Sequence, residues 1–289
     1  MVSVVIAAHN EARVIGRCLA ALTTDGDAGP LDITVVANGC TDATAAVART
    51  HAGVRVVELD VASKPAALNA GDAAAVGFPR IYLDADIVLS GADAGRLAAA
   101  LTGGPALTGG GPALTGGPPL AAVPGRRLVL TGRPLLVRAY YTIQARLPAF
   151  QGALFGRGAV AVSAAGRARF DRFPDVMADD LFLDSRFDPA EKREVAAVRV
   201  PVATPLRTAD LVRRLARVRA GNARLRTTTT GVRPARRAAW LRHVVLRRPW
   251  LAPAAACYVG LTVAAAVLAR RQGGAAVWGR DESSRVGSR

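Results

Sequence analysis

The sequence predicts an α/β fold in which helices flank a mostly parallel central sheet, and three features of residues 1–90 carry this prediction. Short apolar runs recur, alanine-rich stretches separate the runs, and clusters of polar residues follow them. Continuous runs rich in β-branched residues are typical of strands that are buried on both faces of a sheet. The predicted strands are Val2 to Ala8, Ile33 to Ala37, Val54 to Leu59 and Arg80 to Leu83.

The stretches between these runs are predicted helices. Each is long enough to connect two parallel strands by a crossover. In open α/β sheets, ligands bind in the loops at the carboxyl ends of the strands. We therefore expect a binding site where the polar clusters follow the strands. The predicted helices are Ala12 to Thr23, Asp42 to His51 and Pro65 to Val76.

The charge of the chain is unevenly distributed. Of 38 Lys and Arg and 22 Asp and Glu, residues 1–125 hold 7 and 11, which leaves 31 against 11 for residues 126–289. The net charge of +16 therefore arises entirely in the second half. Aromatic residues make up only 5% of the chain, too few for a surface on which single-stranded nucleic acid would stack. We expect no nucleic-acid partner, and we interpret the arginines as a membrane-surface feature or as a plain compositional bias.

Cysteine usage and the first residues indicate the compartment. Cys18, Cys40 and Cys257 are odd in number and widely spaced, which argues against a disulfide framework and against a paired zinc site. The chain opens on an apolar run with no basic segment or cleavage-site pattern ahead of it. We therefore expect a cytoplasmic protein.

The second half of the chain contains three further features. Residues 102–122 hold a duplicated Gly/Pro-rich segment, which predicts a flexible insertion. Asp210 to Arg226 predicts an arginine-rich helix. Residues 249–269 carry no charged side chain, and this length is close to the ~20 residues that span a bilayer. Such a stretch spans a membrane, lies on its surface or packs inside the protein, and we expect association with the cytoplasmic face of the membrane.

Four polar motifs follow the predicted strands. The first two could equally cap the helices that come after them. Lys64 precedes a helix, where it could meet a phosphate. Asp84 and Asp86 end a strand two residues apart, so both point the same way. Two carboxylates on one face repel each other unless a cation compensates, which favours Mg²⁺ or Mn²⁺ over a solvated turn. The motifs are His9-Asn10-Glu11, Asn38-Gly39-Cys40-Thr41-Asp42, Lys64-Pro65 and Asp84-Ala85-Asp86.

In this order and spacing, the motifs AAHNEA, VVANGCTD, KPAALNAG and YLDAD resemble the family 2 inverting glycosyltransferases of GT-A fold. The resemblance implies that the first two loops hold a nucleobase and that the Asp-x-Asp motif binds the ribose and a divalent metal. By position, it implies that Asp86 meets this metal, Mg or Mn. The residues that it implies to face the nucleoside are Ala8, Glu11, Asn38 and Asp84, with Lys64 nearby.

The resemblance extends to the acceptor side of the reaction. Ala178-Asp179-Asp180-Leu181 resembles the acidic motif of the family, which implies that Asp180 is the general base and that Asp179 supports it. Two acids at this point could also stabilise the N-terminus of a helix. Phe150 to Gly156 resembles the glycine-rich strand that lies under the sugar. The Gln/Arg-x-x-Arg-Trp signature of processive members is not evident, so we expect transfer of a single sugar.

The implied reaction is metal-dependent transfer, with inversion, from a UDP- or GDP-sugar to an acceptor hydroxyl on a lipid, a small metabolite or a growing glycan. A nucleotidyltransferase of similar architecture is one alternative, although it would normally carry a glycine-rich phosphate loop after the first strand. A basic module that binds membrane or nucleic acid is another, but it leaves Asp84, Asp86 and Asp180 unexplained.

The predicted organisation of the chain has four consecutive segments. They are a nucleotide-sugar-binding half (1–101), the insertion (102–122), an acceptor-binding half (123–205) and a basic helical region (206–289).

Overall fold

A seven-stranded sheet forms the centre of the computed structural model, which describes residues 1–24, 29–102, 118–176, 178–232 and 240–271. The strands are β1 (Val2–Ala8), β2 (Leu31–Asn38), β3 (Val54–Leu59), β4 (Arg80–Asp84), β5 (Ala121–Val129), β6 (Ala159–Val162) and β7 (Lys192–Ala203). Their order across the sheet is β3-β2-β1-β4-β6-β5-β7.

The sheet is mostly parallel, as predicted. β3, β2, β1 and β4 run parallel to one another, whereas β6 runs antiparallel to both β4 and β5. β1 lies between β2 and β4 and is buried along nearly its whole length, which is why its sequence is a continuous apolar run. All four predicted strands are present, and none of their ends differs from the prediction by more than two residues.

Helices connect the strands, and the three helices predicted for the first half of the chain are all present. The third of them is capped at its N-terminus by Ser63, whose Oγ accepts a hydrogen bond from the N–H of Ala66 at 3.2 Å, and Pro65 lies in its first turn. The helices are α1 (Ile15–Thr24), α2 (Thr44–Arg49), α3 (Lys64–Ala74), α4 (Gly91–Ala99), α5 (Leu135–Gln144), α6 (Ala164–Arg167), α7 (Asp179–Ser185), α8 (Thr208–Thr228) and α9 (Ala252–Arg271).

The main core lies between the sheet and α1 and α4, and includes Ile6, Leu19 and Leu97. α3 packs very closely against the sheet. A Cβ atom at Gly71 would lie 2.4 Å from Cγ1 of Val5, so this helix position requires glycine. The close approach holds α3, and with it Lys64, near the central strand.

The chain forms two compact units. The sheet unit comprises residues 1–127, 154–175 and 182–202, and the helical unit comprises residues 128–153, 176–181 and 203–289. In the helical unit, α5, α8 and α9 contact one another. The rings of Tyr140 and Tyr258 stack there with centroids 5.1 Å apart. The units interleave along the chain, whereas the predicted segments were consecutive. Most of the predicted insertion lies outside the described residues.

A buried carboxylate, Asp72 of α3, collects three partners inside the sheet unit. Arg80 and the hydroxyl of Tyr82 donate to its Oδ1, and Arg167 Nε donates to its Oδ2 at 2.7 Å. Burial by itself raises the pKa of Asp72, but hydrogen bonds from Arg167, Tyr82 and Arg80 outweigh it and hold the pKa below its usual value. The network joins α3 to β4 and α6.

We expect Asp72→Asn to lower the free energy of unfolding by about 3 kcal/mol at neutral pH, because it leaves buried guanidinium groups without their counter-charge. Since the pKa of Asp72 is depressed in the folded state, the carboxylate stabilises the fold above its unfolded-state pKa of about 3.9. This contribution is lost as the pH falls through the lower folded-state pKa. The difference between variant and wild type should therefore shrink below about pH 4.

Urea denaturation at several pH values measures this difference, and the exposed Asp60→Asn serves as control. A loss that does not change with pH, or one that the control shares, would contradict the role of the network.

Candidate functional site

The carboxyl ends of three neighbouring strands lie side by side at one edge of the sheet. The register pairs Ala8 with Ala37 and Ala7 with Asp84, so β1, β2 and β4 end at nearly the same level. Three of the four polar motifs follow these strands directly, and α3, which carries the remaining motif, starts after the neighbouring β3. The sheet thus gathers motifs that are far apart in sequence.

Asn10 connects the loop after β1 to the loop after β2. Its Oδ1 accepts hydrogen bonds from the backbone N–H groups of Thr41 at 2.6 Å and Asp42 at 3.2 Å. Its backbone has a φ of 54°, a left-handed conformation that Asn adopts more readily than most residues. The N–H of Glu11 adds a bond of 2.7 Å to Oγ1 of Thr44. These contacts hold the two loops together at the sheet edge.

Asn38 is fully buried at the end of β2, and its side-chain amide bonds to main chain on two sides. Its Nδ2 donates to the carbonyl of Ala8 at 2.8 Å, and its Oδ1 accepts from the N–H of Ser63 at 3.1 Å. Ala8 is also fully buried, and Glu11 is 9% exposed. The structure therefore brings these three predicted residues to the same edge, where Asn38 acts as a tie between β1, β2 and α3. Their contacts with a nucleoside stay predictions.

Lys64 and Asp84 meet at this edge as an ion pair. The Lys64 Nζ lies 2.8 Å from Oδ1 of Asp84, and the two side chains are 21% and 43% exposed. Because the pair is partly open to solvent, both groups are accessible to a ligand. Lys64 is also the first residue of α3, whose N-terminus attracts anions.

Burial alternates along the segment that contains the two aspartates. The side chains that face the core are Ala85, Ile87 and Leu89, whereas Asp84 and Asp86 are partly exposed. β4 ends at Asp84, however, and the N–H of Ile87 bonds to the carbonyl of Asp84 at 3.1 Å, so Ala85 and Asp86 lie in a turn and not in the extended chain that the sequence predicted.

The space beside Asp84 depends on Gly158, which has a φ of 71°. A Cβ at this position would lie 3.3 Å from Oδ2 of Asp84 and 2.4 Å from Cγ1 of Ile87. Lys64 holds the other oxygen of Asp84, so its Oδ2 together with Asp86 fits a hard divalent cation. Within the described part of the chain, no cluster of three or more His, Cys, Asp or Glu residues could hold a metal. The described residues therefore offer two carboxylates here, and donor oxygens or water would supply the remaining ligands of a bound ion.

The buried thiol of Cys18 in α1 responds to these carboxylates. Burial raises its pKa to about 12, and the negative charges of Asp86 and Asp84 act in the same direction. The pair of acids therefore creates a negative potential at this edge, which a bound cation would offset.

A sequence model described as Glycosyl transferase family 2 matches residues 3–157, more than half of the chain. The chain belongs to glycosyl transferase family 2. The matched segment contains Asn10, Asn38, Lys64, Asp84 and Asp86, so the contacts among these residues lie inside the segment that defines the family. The protein is a glycosyltransferase.

Two solved structures share the GT-A fold with this family 2 glycosyltransferase. The mannosyltransferase PcManGT from Pyrobaculum calidifontis, in complex with GDP-Man and Mn²⁺, is 22% identical with a TM-score of 0.57, and the match covers 96% of this chain and 81% of that one. TarS 1-349 from S. aureus, in complex with UDP-GlcNAc, is 14% identical with a TM-score of 0.50, and the match covers 94% and 92%. At these identities the likeness concerns the fold alone. No curated protein sequence matches the chain.

The predicted acceptor-side acids of this glycosyltransferase belong to the helical unit. Asp179 and Asp180 form the first turn of α7, and both are partly exposed. The Oδ1 of Asp180 accepts a hydrogen bond from the N–H of Leu181 at 2.7 Å. An acid in the first helical turn is stabilised by the helix dipole and is still able to accept a proton, so this position agrees with either interpretation of the motif. The catalytic role of Asp180 stays a prediction.

The contacts of two further polar residues in the sheet unit, Asn69 and Asp184, were not predicted from the sequence. Asn69 exchanges hydrogen bonds with the backbone of Phe173, at 3.0 Å from Nδ2 and 2.8 Å to Oδ1. Asp184 is buried, pairs with Lys192 at 2.8 Å and accepts from the N–H of Leu154 at 3.0 Å. Asp184 could have been found in the sequence, because it directly follows three apolar residues of α7. An acid in such a position faces the core and needs a partner.

We expect substitutions of Asn10 to separate the loop bonds from the backbone conformation. Asn10→Gly should cost about 2 kcal/mol, because the N–H groups of Thr41 and Asp42 lose their acceptor. Asn10→Ala should cost about 1 kcal/mol more, because alanine disfavours a left-handed backbone. The free energies of unfolding from urea denaturation measure both effects. Equal losses in the two variants would show that the conformation of Asn10 is unimportant, and no loss in either would remove its role as a connector.

Proposed function

We propose that this enzyme transfers a single sugar from a nucleoside diphosphate sugar to an acceptor hydroxyl, with inversion and with a divalent metal. The observation that carries the proposal is the contact between Lys64 and Asp84, which are 20 residues apart in sequence and 2.8 Å apart at the sheet edge, next to Asp86 in the chain. A cation and two carboxylates in one place suit a ligand that carries both a diphosphate and a metal. Membership of the family supports a sugar as the transferred group.

The proposed donor is a UDP- or GDP-sugar. The two structures of shared fold carry GDP-Man with Mn²⁺ in one case and UDP-GlcNAc in the other, which supports a donor of this class. On this chain, the loops joined by Asn10 would receive the base and ribose. Asn38 would hold these loops in position, since its amide is already bonded to main chain.

Asp86 and the Oδ2 side of Asp84 would hold Mg²⁺ or Mn²⁺. When bound, such an ion supplies positive charge that stabilises the departing nucleoside diphosphate. Lys64 would turn from Asp84 towards a phosphate oxygen or donate to both, because its ammonium group has three N–H donors.

Asp180 is the proposed general base, with Asp179 in support. Its carboxylate would take the proton of the acceptor hydroxyl as the acceptor oxygen bonds to the anomeric carbon and the bond to the diphosphate breaks on the opposite side. Inversion follows from this single in-line displacement. Transfer of one sugar is proposed because the Gln/Arg-x-x-Arg-Trp signature of processive members is not evident. The sequence from Arg236 to Trp240 resembles this signature only loosely, and of these residues the structure describes Trp240 alone.

A direct test uses nucleotide sugars with manganese. Release of UDP or GDP from a nucleotide sugar would support the proposal. A nucleotidyltransferase would instead release pyrophosphate when it is given a nucleoside triphosphate and a sugar phosphate. That result, with no release of UDP or GDP from nucleotide sugars, would favour the alternative.

For the metal site, we expect Asp86→Ala to abolish the part of UDP or GDP affinity that depends on manganese, because Asp84 alone cannot hold the ion against water. Calorimetry with and without manganese measures this part. Asp93→Ala, which removes a carboxylate paired with Arg96 in α4, is the matched control and should bind as wild type does. Undiminished manganese dependence in Asp86→Ala would rule out this assignment.

For the base, we expect Asp180→Asn to lower the transfer rate by about 10²- to 10⁴-fold while donor affinity is retained, because the amide keeps the shape of the side chain but cannot accept the proton. Turnover and calorimetric affinity, measured on the same preparation, separate the two effects. Asp179→Asn should have the smaller effect on rate. If Asp180→Asn turns over within a few-fold of wild type, the base lies elsewhere, and joint loss of folding and nucleotide affinity would make Asp180 a structural residue.

A further inference from the structure

Helix α9 has two faces of different environment. Only three of its 20 residues are buried, and these are Ala255, Leu261 and Ala265. A second set is exposed, and it consists of Ala256, Gly260, Val263 and Val267. At 3.6 residues per turn, the two sets lie on opposite sides of the helix.

The buried face of α9 is built into the helical unit. Leu261 packs in one cluster with Leu211 of α8 and Val137 of α5. Tyr258 stacks on Tyr140 of α5. α9 therefore has fixed protein neighbours along one side.

The exposed face of α9 is apolar from Ala252 to Val267. Val263 and Val267 are 55% and 41% exposed. Just before the helix, Leu246 and Trp250 are 70% and 72% exposed. An exposed apolar helix face of this kind on a folded protein is typical of a site that binds another molecule or a membrane.

Exposed arginines flank this surface at both ends of the helix. Arg247 and Arg248 precede α9, and Arg270 and Arg271 end it. The arginines attract negatively charged headgroups. A surface that is partly apolar and partly cationic is therefore complementary to an anionic bilayer.

By length and composition, Pro249–Arg271 is the one described stretch able to cross a membrane. Crossing conflicts with the packing of α9 against α8, which carries six arginines between Arg213 and Arg226. Each arginine at the bilayer centre would cost about 3 kcal/mol, so α9 would have to leave its neighbours in order to span. A role as an internal packing helix conflicts with its exposed face. An orientation in the membrane plane agrees with both observations.

We propose that α9 binds an anionic lipid surface while lying in the plane of the membrane, with its exposed face inserted and its terminal arginines on the headgroups. A spanning helix would carry its basic residues mainly on one side, whereas an in-plane helix places both ends at the same depth. The arginine pairs at both ends of α9 match the in-plane arrangement. The proposal concerns the helical unit and is independent of the donor site.

Vesicle flotation with the full-length enzyme tests the proposal without any nucleotide. The vesicles are phosphatidylcholine alone, or phosphatidylcholine with an equal part of phosphatidylglycerol. We expect binding to the mixed vesicles, a blue shift of tryptophan emission that Trp250→Phe diminishes, and release by alkaline carbonate. Retention after carbonate would indicate a spanning helix and overturn the proposal.

Two double variants separate the apolar and charged contributions. V263Q/V267Q should bind the mixed vesicles about 10-fold more weakly, because exposed valines no longer enter the bilayer. R247Q/R248Q should bind about 30-fold more weakly, which corresponds to ~1 kcal/mol for each arginine. Val76→Gln and R17Q/R172Q alter exposed residues of the same types in the sheet unit and should bind as wild type does.

Nucleotide affinity of every variant should be unchanged, which separates this proposal from the proposed function. If the α9 variants and their controls lost equal vesicle affinity, the effect would be one of net charge alone and the proposal would be overturned. Failure of the wild-type enzyme to bind either kind of vesicle would also overturn the proposal. A concentration-dependent dimer that V263Q/V267Q disrupts, seen in place of vesicle binding, would overturn it too, because the partner would then be a second copy of the chain.

Discussion

The buried side-chain amide of Asn38 is the contact on which the sheet edge depends. It bonds to the carbonyl of Ala8 at the end of β1 and to the N–H of Ser63 at the start of α3. A fully buried amide has to satisfy its donors and acceptor within the protein, so its position admits little variation. The strand ends and the start of α3 are therefore held in one arrangement, and the loops joined by Asn10 build on it.

Charge is balanced in different ways at the two ends of α3. Near its C-terminus, Asp72 is neutralised by Arg80, which begins β4, and by Arg167. At the N-terminus of α3, Lys64 pairs with Asp84, and Asp86 lies two residues further along the chain. The Asp72 network is buried and stabilises the fold, whereas the side chains of Lys64 and Asp84 are partly exposed. This difference is what makes the second group, at the N-terminus of α3, suited to a cation.

Much of the fold followed from local sequence patterns. The strand Val2–Ala8 was predicted to the residue, since a central parallel strand needs apolar side chains on both faces. The extended geometry predicted for Asp84 and Asp86 was wrong, because β4 ends at Asp84 and Asp86 lies in the turn that follows. The interleaving of the two units was not predictable in this way, because it depends on which distant segments pack together.

The sequence by itself determined the fold class, the family and the order of the polar motifs, because strand periodicity and motif spacing depend on neighbouring residues. Only the tertiary structure decided what the motif residues contact. The amide of Asn38, whose contact with a nucleoside stays a prediction, is bonded to main chain, and Lys64 meets Asp84 across 20 residues. The exposed side of α9 was equally a tertiary outcome, because a uniformly apolar helix carries no pattern that tells which face its neighbours will cover.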